Sequence, residues 1–312
     1  GDVKTASQAI GNLVSFEDDG PSVTVTLKEG GAVVTDETSD LNVLKTASGA
    51  AVDISVLTGQ DNENANTNVQ LLITSASSGL STTEGKAITL SAGATDNDVL
   101  GKYDSDGNGS LDATAFKVSI SDTGVLSVTQ YVSLAHPEPA TLVNGDVVSY
   151  DEAVTLAGKL SVQVTVTDGD GDVKTASQAI GNLVSFEDDG PTVSLTTASF
   201  SLDDEGLFGG IAGAPVGDVS GEHTVVTGTL NFAAGADGLK SIVLSGPTQL
   251  GVETVTSVWN VANNTLTISS VRGDLMTVQL TNPVTGAYTA TLLKPLKHAA
   301  GENENDIVLN VG

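Results

Sequence analysis

The chain has 312 residues, no cysteine and a formal net charge of -27, because 39 Asp and Glu residues outnumber 12 Lys and Arg residues. A field of this sign repels nucleic-acid phosphates and anionic membrane surfaces, so no nucleic acid and no membrane is expected as a partner, and a cation is favoured. Without cysteine, disulfides and thiolate chemistry are excluded.

The chain opens with a repeat. The letters "GDVKTASQAIGNLVSFEDDGP" fill residues 1–21 and return unchanged at 171–191. We interpret the second copy as the boundary between two modules, and residues 1–18 as the closing strand of a preceding module. Recent duplication of DNA without functional constraint is the alternative, and one sequence leaves both open. The first residues lack a secretory signal pattern, so any export signal is expected outside this segment.

Strands with polar turns between them are predicted along almost the whole chain. Aliphatic or β-branched residues alternate with Thr, Ser or Gln, which is the period of strands with one face in a core and one in water. The pattern covers residues 21–27, 116–120, 125–134, 159–167, 191–197, 264–271 and 306–311. Helix is nearly absent, apart from possible short turns near 47–57. Short strands with frequent turns predict an all-β fold of two tandem immunoglobulin-like β-sandwich modules.

The letters "DSDGNGSLD" at residues 104–112 have the oxygen spacing of a calcium loop. Alternating side-chain oxygens, a glycine at the sharp turn and a backbone carbonyl beyond it converge on hard cations such as Ca²⁺. The predicted ligands are Asp104, Asp106, Asn108, Ser110 and Asp112. The twelfth position is Ala115 rather than Glu, and strands flank the loop instead of helices, so a merely solvated turn is the alternative.

A second acidic set lies at the predicted module boundary. It combines "DGDGD" at 168–172, "EDDGP" at 187–191 and two early "DE" pairs. Carboxylates this dense repel one another unless a cation lies among them, so we predict calcium here, with a hydrated polar rim as the alternative. The predicted ligands are Asp168, Asp170, Asp172, Asp188, Asp189, Asp36, Glu37, Asp204 and Glu205.

Module borders follow from these features. We predict a first module over 19–188, with a long insertion at about 40–115, and a second over 189–312 that lacks its last strand. An open sandwich exposes backbone donors, which a strand from another chain can pair by β-augmentation. We therefore predict that residues 3–16 of one molecule pair head-to-tail with the final module of the next.

Several motifs together resemble a known family. They are "VTVTDGDGD", "FEDDGP", the early "DE" pairs, "GTLNFAAGADG" at 228–238 and "PLKHAAGENENDI" at 295–307. In combination they look like the tandem repeat modules of giant bacterial repeats-in-toxin adhesins exported by type I secretion. The resemblance implies immunoglobulin-like extender domains, calcium at the junctions, neighbouring modules of the same chain as partners, and a secreted location at the bacterial cell surface. The chain departs from that family in lacking "GGxGxD" nonapeptides and in carrying the insertion.

The expected function is a calcium-stabilised extender that projects a distal binding region for adhesion or biofilm formation. A carbohydrate- or protein-binding module of the same adhesin, with its site in 40–115, is the runner-up. An enzyme is not expected, because no nucleophile elbow and no histidine pair at zinc-ligand spacing occurs. His136 and His298 lie at matching positions before a turn, which favours a shared structural role.

Overall fold

The computed structural model describes residues 1–37, 45–60, 62–137, 142–143, 146–147, 152–193, 202–209, 223–236 and 238–299. The chain divides into two compact units, residues 1–190 and 191–312. The described residues contain strands and three short 3-10 turns but no α-helix, so the all-β prediction is confirmed. Among them, no helix has the length and hydropathy needed to cross a bilayer.

The first unit consists of many strands and two of the 3-10 turns, at Gly11–Leu13 and Gly181–Leu183. Its strands are β1 Ser22–Leu27, β2 Val33–Asp36, β3 Lys45–Ala50, β4 Val52–Leu57, β5 Asn66–Ile73, β6 Ser77–Ser81, β7 Ala87–Ala92, β8 Asp98–Tyr103, β9 Ala113–Ile120, β10 Val125–Gln130, β11 Leu142–Val143, β12 Asp146–Val147, β13 Ala153–Thr155, β14 Leu160–Thr167, β15 Val173–Ala179 and β16 Val184–Glu187.

These strands form several sheets in an arrangement consistent with a β-sandwich. The largest has the order β3-β10-β9-β8-β7-β6, and two three-stranded sheets have the orders β15-β14-β5 and β13-β16-β2. All contacts in them are antiparallel except that of β16 with β2, which is parallel. The pair β1-β4 and the short pair β11-β12 complete the set.

Alternation explains why the strands face one core. In β14 every second residue from Leu160 to Val166 is fully buried, as the sequence period predicts. The rings of Phe116 and Phe186 pack with centroids 4.8 Å apart in the middle of this core. A Cβ on Gly101 would lie 2.4 Å from the Phe116 ring, so only glycine fits beside that ring.

The described part of the predicted insertion at 40–115 belongs to this same core. Residues 45–50 and 52–57 are the strands β3 and β4, so the possible turns expected near 47–57 are wrong. Ile88, Leu90 and Val99 are buried in one cluster with Leu160 and Phe186. The segment is therefore an integral part of the first unit rather than an appendage.

The second unit has strands β17 Thr192–Val193, β18 Val225–Thr229, β19 Phe232–Ala233, β20 Gln249–Leu250, β21 Glu253–Thr254, β22 Thr256–Asn260, β23 Thr265–Ser270, β24 Gly273–Asn282 and β25 Ala287–Leu292. Its main sheet has the order β18-β25-β24-β23-β22. Its core centres on Ile268, Leu275 and Ala290. Arg272 donates hydrogen bonds to both carboxylate oxygens of Glu253 and to the Pro295 carbonyl, which ties the segment after β25 to the β23-β24 turn.

The predicted strand at 306–311 lies outside the described residues, as do residues 194–197 of the predicted 191–197 strand. The expectation that the second module lacks its last strand therefore also concerns residues beyond the described part of the chain.

Candidate functional site: two acidic clusters in the first unit

The loop at 104–112 holds its acidic side chains against its own backbone. The Asp104 carboxylate accepts hydrogen bonds from the N–H groups of Gly107 and Gly109, both at 2.7 Å, and from Asn108 at 3.1 Å. Asp106 accepts from the N–H of Asn108 at 3.1 Å. These are Asx-turn contacts that satisfy a carboxylate without a cation.

The far end of the same loop is closed in the same way. Asp112 accepts from the backbone N–H of Ser105 at 2.9 Å and from its hydroxyl at 3.0 Å. The Asn108 side-chain oxygen accepts from the N–H of Ser110 at 2.8 Å. The bond from Gly109 lowers the pKa of Asp104, and the backbone bond from Ser105 lowers that of Asp112. The five predicted ligands therefore form a turn in which the loop's own N–H and O–H groups stabilise the ionised carboxylates.

A different arrangement occurs where β14 turns into β15. Asp18, Asp170 and Asp172 each place one carboxylate oxygen within 4.8 Å of the others. Two oxygens bound to one Ca²⁺ at 2.3–2.6 Å can be at most about 5 Å apart, so any two of these oxygens are close enough to share one ion. Asp168 lies beneath them and is 3% exposed. We call these four residues the Asp168 cluster.

One carboxylate oxygen of Asp168 holds this turn by hydrogen bonds, and the other oxygen makes none. Its Oδ1 accepts hydrogen bonds from the N–H groups of Gly171 at 3.1 Å and Asp172 at 2.8 Å. Its Oδ2 is buried and has no hydrogen-bond partner. The carboxyl of Asp170 interacts with that of Asp168, and this interaction raises the pKa of Asp170. The charge of Asp168 likewise raises the pKa of Asp172, with Asp18 adding to the effect.

The second grouping lies where β16 ends. Glu37, Asp188 and Asp189 place one carboxylate oxygen each within 4.8 Å of the others. Glu37 is 1% exposed although it is an acid. Its Oε1 accepts hydrogen bonds from Gln130 Nε2 and, at 2.9 Å, from the N–H of Leu134. Gln130 is itself held by the Thr35 hydroxyl, which donates to its Oε1 at 2.8 Å.

Two further side chains complete this Glu37 cluster. Glu152 accepts the Asp188 N–H at its backbone oxygen at 3.3 Å, and its own buried Oε2 has no hydrogen-bond partner. The Nδ1 atom of His136 lies 3.5 Å from Asp188 Oδ1, and its Nε2 lies 3.2 Å from the Phe186 carbonyl. Burial raises the pKa of Asp188, and the charges of Asp189 and Glu152 add to this, while His136 acts in the opposite direction.

The remaining predicted ligands lie elsewhere. Alternation along β2 buries Thr35 and Glu37 and turns Asp36 to the exposed face, away from the Glu37 cluster. Asp204 and Glu205 form the 3-10 turn Asp204–Gly206, in which Asp203 accepts the Glu205 N–H at 2.9 Å. They join no group of three acidic residues in the part of the second unit that the structure describes.

The other acidic residues predicted at the module boundary thus divide between the Asp168 cluster and the Glu37 cluster. "DGDGD" meets Asp18 from the first copy of the repeat, whereas Asp188 and Asp189 from the second copy meet Glu37. Sequence reasoning missed Asp18, Glu152 and the supporting Gln130. The repeat itself was the signal for Asp18, because Asp18 occupies the same position in its copy as Asp188 does in the next.

The pKa directions predict how the metal-free protein responds to pH. The folded-state pKa values of Asp170, Asp172 and Asp188 lie above the usual value of 3.8. Their contribution to stability is therefore complete below pH 3.8 and is lost as the pH rises through the raised values. Asp98, Asp104 and Asp112 have lowered pKa values. Their contribution to stability is therefore present above pH 3.8 and is lost as the pH falls through the lowered values.

We therefore expect the free energy of unfolding of the metal-free first unit to fall as the pH rises from about 4 to 7. Urea unfolding across this range measures the fall, and Asp172→Asn should flatten it. Stability that climbs steadily over the same interval in the wild-type chain would contradict the pKa directions.

Residues 32–181 match a family model described as a domain of unknown function, DUF5801. No curated protein matches the chain, and no solved structure does. The matched segment contains Glu37, Glu152 and Asp168, but Asp18 and Asp188 lie outside it. Each acidic cluster therefore includes residues from beyond the matched segment, Asp18 before it in one cluster and Asp188 with Asp189 after it in the other.

Proposed function

We propose that the chain is a calcium-stabilised structural segment of a secreted bacterial surface adhesin. In this proposal immunoglobulin-like β-sandwich modules are joined end to end, and each junction binds Ca²⁺ that stiffens the chain. The likeness to repeats-in-toxin adhesin modules supports the proposal, together with the all-β fold and the repeated 21 residues. Neighbouring modules are the partners, and export by type I secretion follows from the same likeness.

One observation carries the proposal. The two clusters combine acidic residues next to strand ends with acidic residues of the two "FEDDGP" segments, Asp18 in one case and Asp188 with Asp189 in the other. Buried carboxylates are costly unless a cation or hydrogen bonds compensate them. Asp168 Oδ2 and Glu152 Oε2 are buried without a hydrogen-bond partner, so a cation is the natural compensation.

The chemistry of the donors favours calcium over other cations. Calcium accepts six to eight oxygen ligands in flexible geometry, whereas magnesium demands near-ideal octahedral geometry and keeps its waters. Both clusters offer carboxylate oxygens that lie within 4.8 Å of one another. Zinc and copper favour sulfur or imidazole donors, and the chain has no cysteine and three histidines in all.

Calorimetric titration of metal-free protein tests this proposal. We expect two calcium ions per chain, one for each cluster. Glu37→Gln should remove one and Asp170→Asn the other, because each substitution takes away a charge while keeping the shape of the side chain. Asp106→Asn is the matched control from the 104–112 loop, whose carboxylates accept hydrogen bonds from the loop's own N–H groups. The stoichiometry of this variant should stay at two.

A stoichiometry of zero in the wild-type chain would overturn the calcium proposal. Loss of an ion in Asp106→Asn but not in Glu37→Gln would move the site to the 104–112 loop.

A further inference from the structure

The two copies of the 21-residue repeat are identical in sequence but differ in structure. Residues 173–179 and 184–187 form β15 and β16, whereas the equivalent residues 3–9 and 14–17 form no strand. The side chains differ accordingly. Phe186, Ile180 and Val184 are fully buried, while Phe16 is 94%, Ile10 59% and Val14 56% exposed.

The buried copy occupies a groove in the first unit. β15 pairs along its whole length with β14, from Thr167↔Val173 to Ser161↔Ala179. β16 lies between β13 and β2. The 3-10 turn between them, Gly181–Leu183, brings Gly181 against the chain at Leu156, where an added Cβ would lie 1.9 Å from the Leu156 carbonyl oxygen. The groove therefore requires glycine at position 181 and apolar side chains at Ile180, Val184 and Phe186.

The exposed copy already has the turn that this groove requires. Gly11–Leu13 is a 3-10 turn, like Gly181–Leu183. The preceding residue has φ -115° and ψ 2° at Ile10, and φ -128° and ψ -3° at Ile180. The local sequence thus fixes the turn in both copies, and only the pairing partners are different. A segment that holds part of its bound conformation loses less entropy on binding.

We propose that residues 1–17 act as a donor strand that fills the β14/β13/β2 groove of a second copy of this chain, while Asp18 stays in the Asp168 cluster of its own chain. Because the two copies have the same sequence, residues 1–17 can make the strand pairing and core packing contacts that residues 171–187 make. Phe16 takes the place of Phe186 beside Phe116, and Gly11 takes the place of Gly181 beside Leu156. The association is a strand exchange, and it links copies through a heterologous contact unless the exchange is reciprocal.

In the wild-type chain the groove is already filled by residues 171–191, which are tethered at both ends and therefore have a high effective concentration. The exchange becomes visible when this internal strand is weakened while the donor strand is left intact. Gly181→Ala does so, since its new Cβ meets backbone that cannot move aside easily, whereas a Cβ on Gly11 meets nothing within 4 Å.

Light scattering of the full chain over a concentration series tests the proposal. The wild-type chain should keep the 31.4 kDa of a monomer. Gly181→Ala should gain mass toward twice that value or more as the concentration rises, because an intact strand from a second copy fills the weakened groove. The double variant Gly11→Ala/Gly181→Ala has the same internal defect and a donor with the same clash, so it should stay monomeric.

A milder pair of variants keeps the test informative if Gly181→Ala does not fold. Ile180→Val removes one methylene from the internal strand and so weakens its packing in the groove. Ile10→Val/Ile180→Val makes the same change in the donor strand, so the donor no longer packs better than the internal strand. Single and double variants with equal mass at every concentration, in whichever pair folds, would overturn the proposal. Higher mass of the single variant alone would support it, since general stickiness of a damaged core affects both equally.

Discussion

Calcium at about 10 mM is expected to raise the melting temperature of the first unit by about 6–20 °C at neutral pH, relative to the metal-free protein. The reason is linkage, because an ion that binds the folded clusters and not the unfolded chain stabilises the folded state by mass action. The effect should be large because the Asp168 and Glu37 clusters both belong to this unit. The net charge of -27 strengthens it, since each ion cancels two negative charges.

The size follows from the affinity expected of extracellular sites. With dissociation constants of about 10⁻⁴–10⁻³ M, calcium at about 10 mM is present at about 10 to 100 times the dissociation constant. Each site then contributes about 1.4–2.7 kcal/mol, and two sites about 3–5 kcal/mol. A domain of about 150–250 residues shifts its melting temperature by about 2–4 °C per kcal/mol.

Differential scanning calorimetry with calcium and with chelator measures the shift. The double variant Glu37→Gln/Asp170→Asn is the control, and its first-unit transition should move by only a few degrees. The transition of the second unit is an internal reference, because its described residues contain no group of three acidic side chains. A first-unit transition that calcium leaves in place would contradict the assignment of both clusters.

The strands and the fold class could be predicted because their signal is local. Alternation in "LSVQVTVT" reports directly which side chains enter the core, and β14 buries that set of residues. The predicted strand at 125–134 ends at Gln130 in the structure, and beyond it Leu134 forms an isolated bridge with Thr82. The turns expected near 47–57 are wrong. Small residues in "KTASGA" carry little period, and pairing with β10 makes them a strand.

The clusters could be predicted only in part, because they depend on contacts between residues far apart in the sequence. Acid density pointed to Glu37, Asp170 and Asp188, but nothing local indicated that Glu152 faces Asp188 or that Asp18 meets "DGDGD". The loop at 104–112 shows the converse limit. Its spacing fits a calcium loop, yet the same oxygens are equally well placed to accept hydrogen bonds from the loop's own N–H groups.

The repeat provides the sharpest comparison between local sequence and tertiary structure. Phe186→Ala is expected to destabilise the first unit by about 3–5 kcal/mol, since it opens a cavity beside Phe116 in the middle of the core. For a unit of this size the melting temperature should fall by about 6–20 °C. Phe16→Ala makes the same change in the same neighbouring sequence, and a surface substitution of this kind alters stability by about 0.5 kcal/mol or less.

Thermal unfolding of dilute protein with calcium present compares the two variants. Dilution matters because a donated strand would engage Phe16 only at high concentration. Propensity and unfolded-state effects depend on near neighbours, and residues 1–21 and 171–191 are identical, so these effects cancel between Phe16→Ala and Phe186→Ala. The difference therefore measures tertiary packing alone. Equal losses from both substitutions would mean that residues 1–16 also pack in the monomer, and that the strand formed by 171–187 is not what distinguishes the two copies.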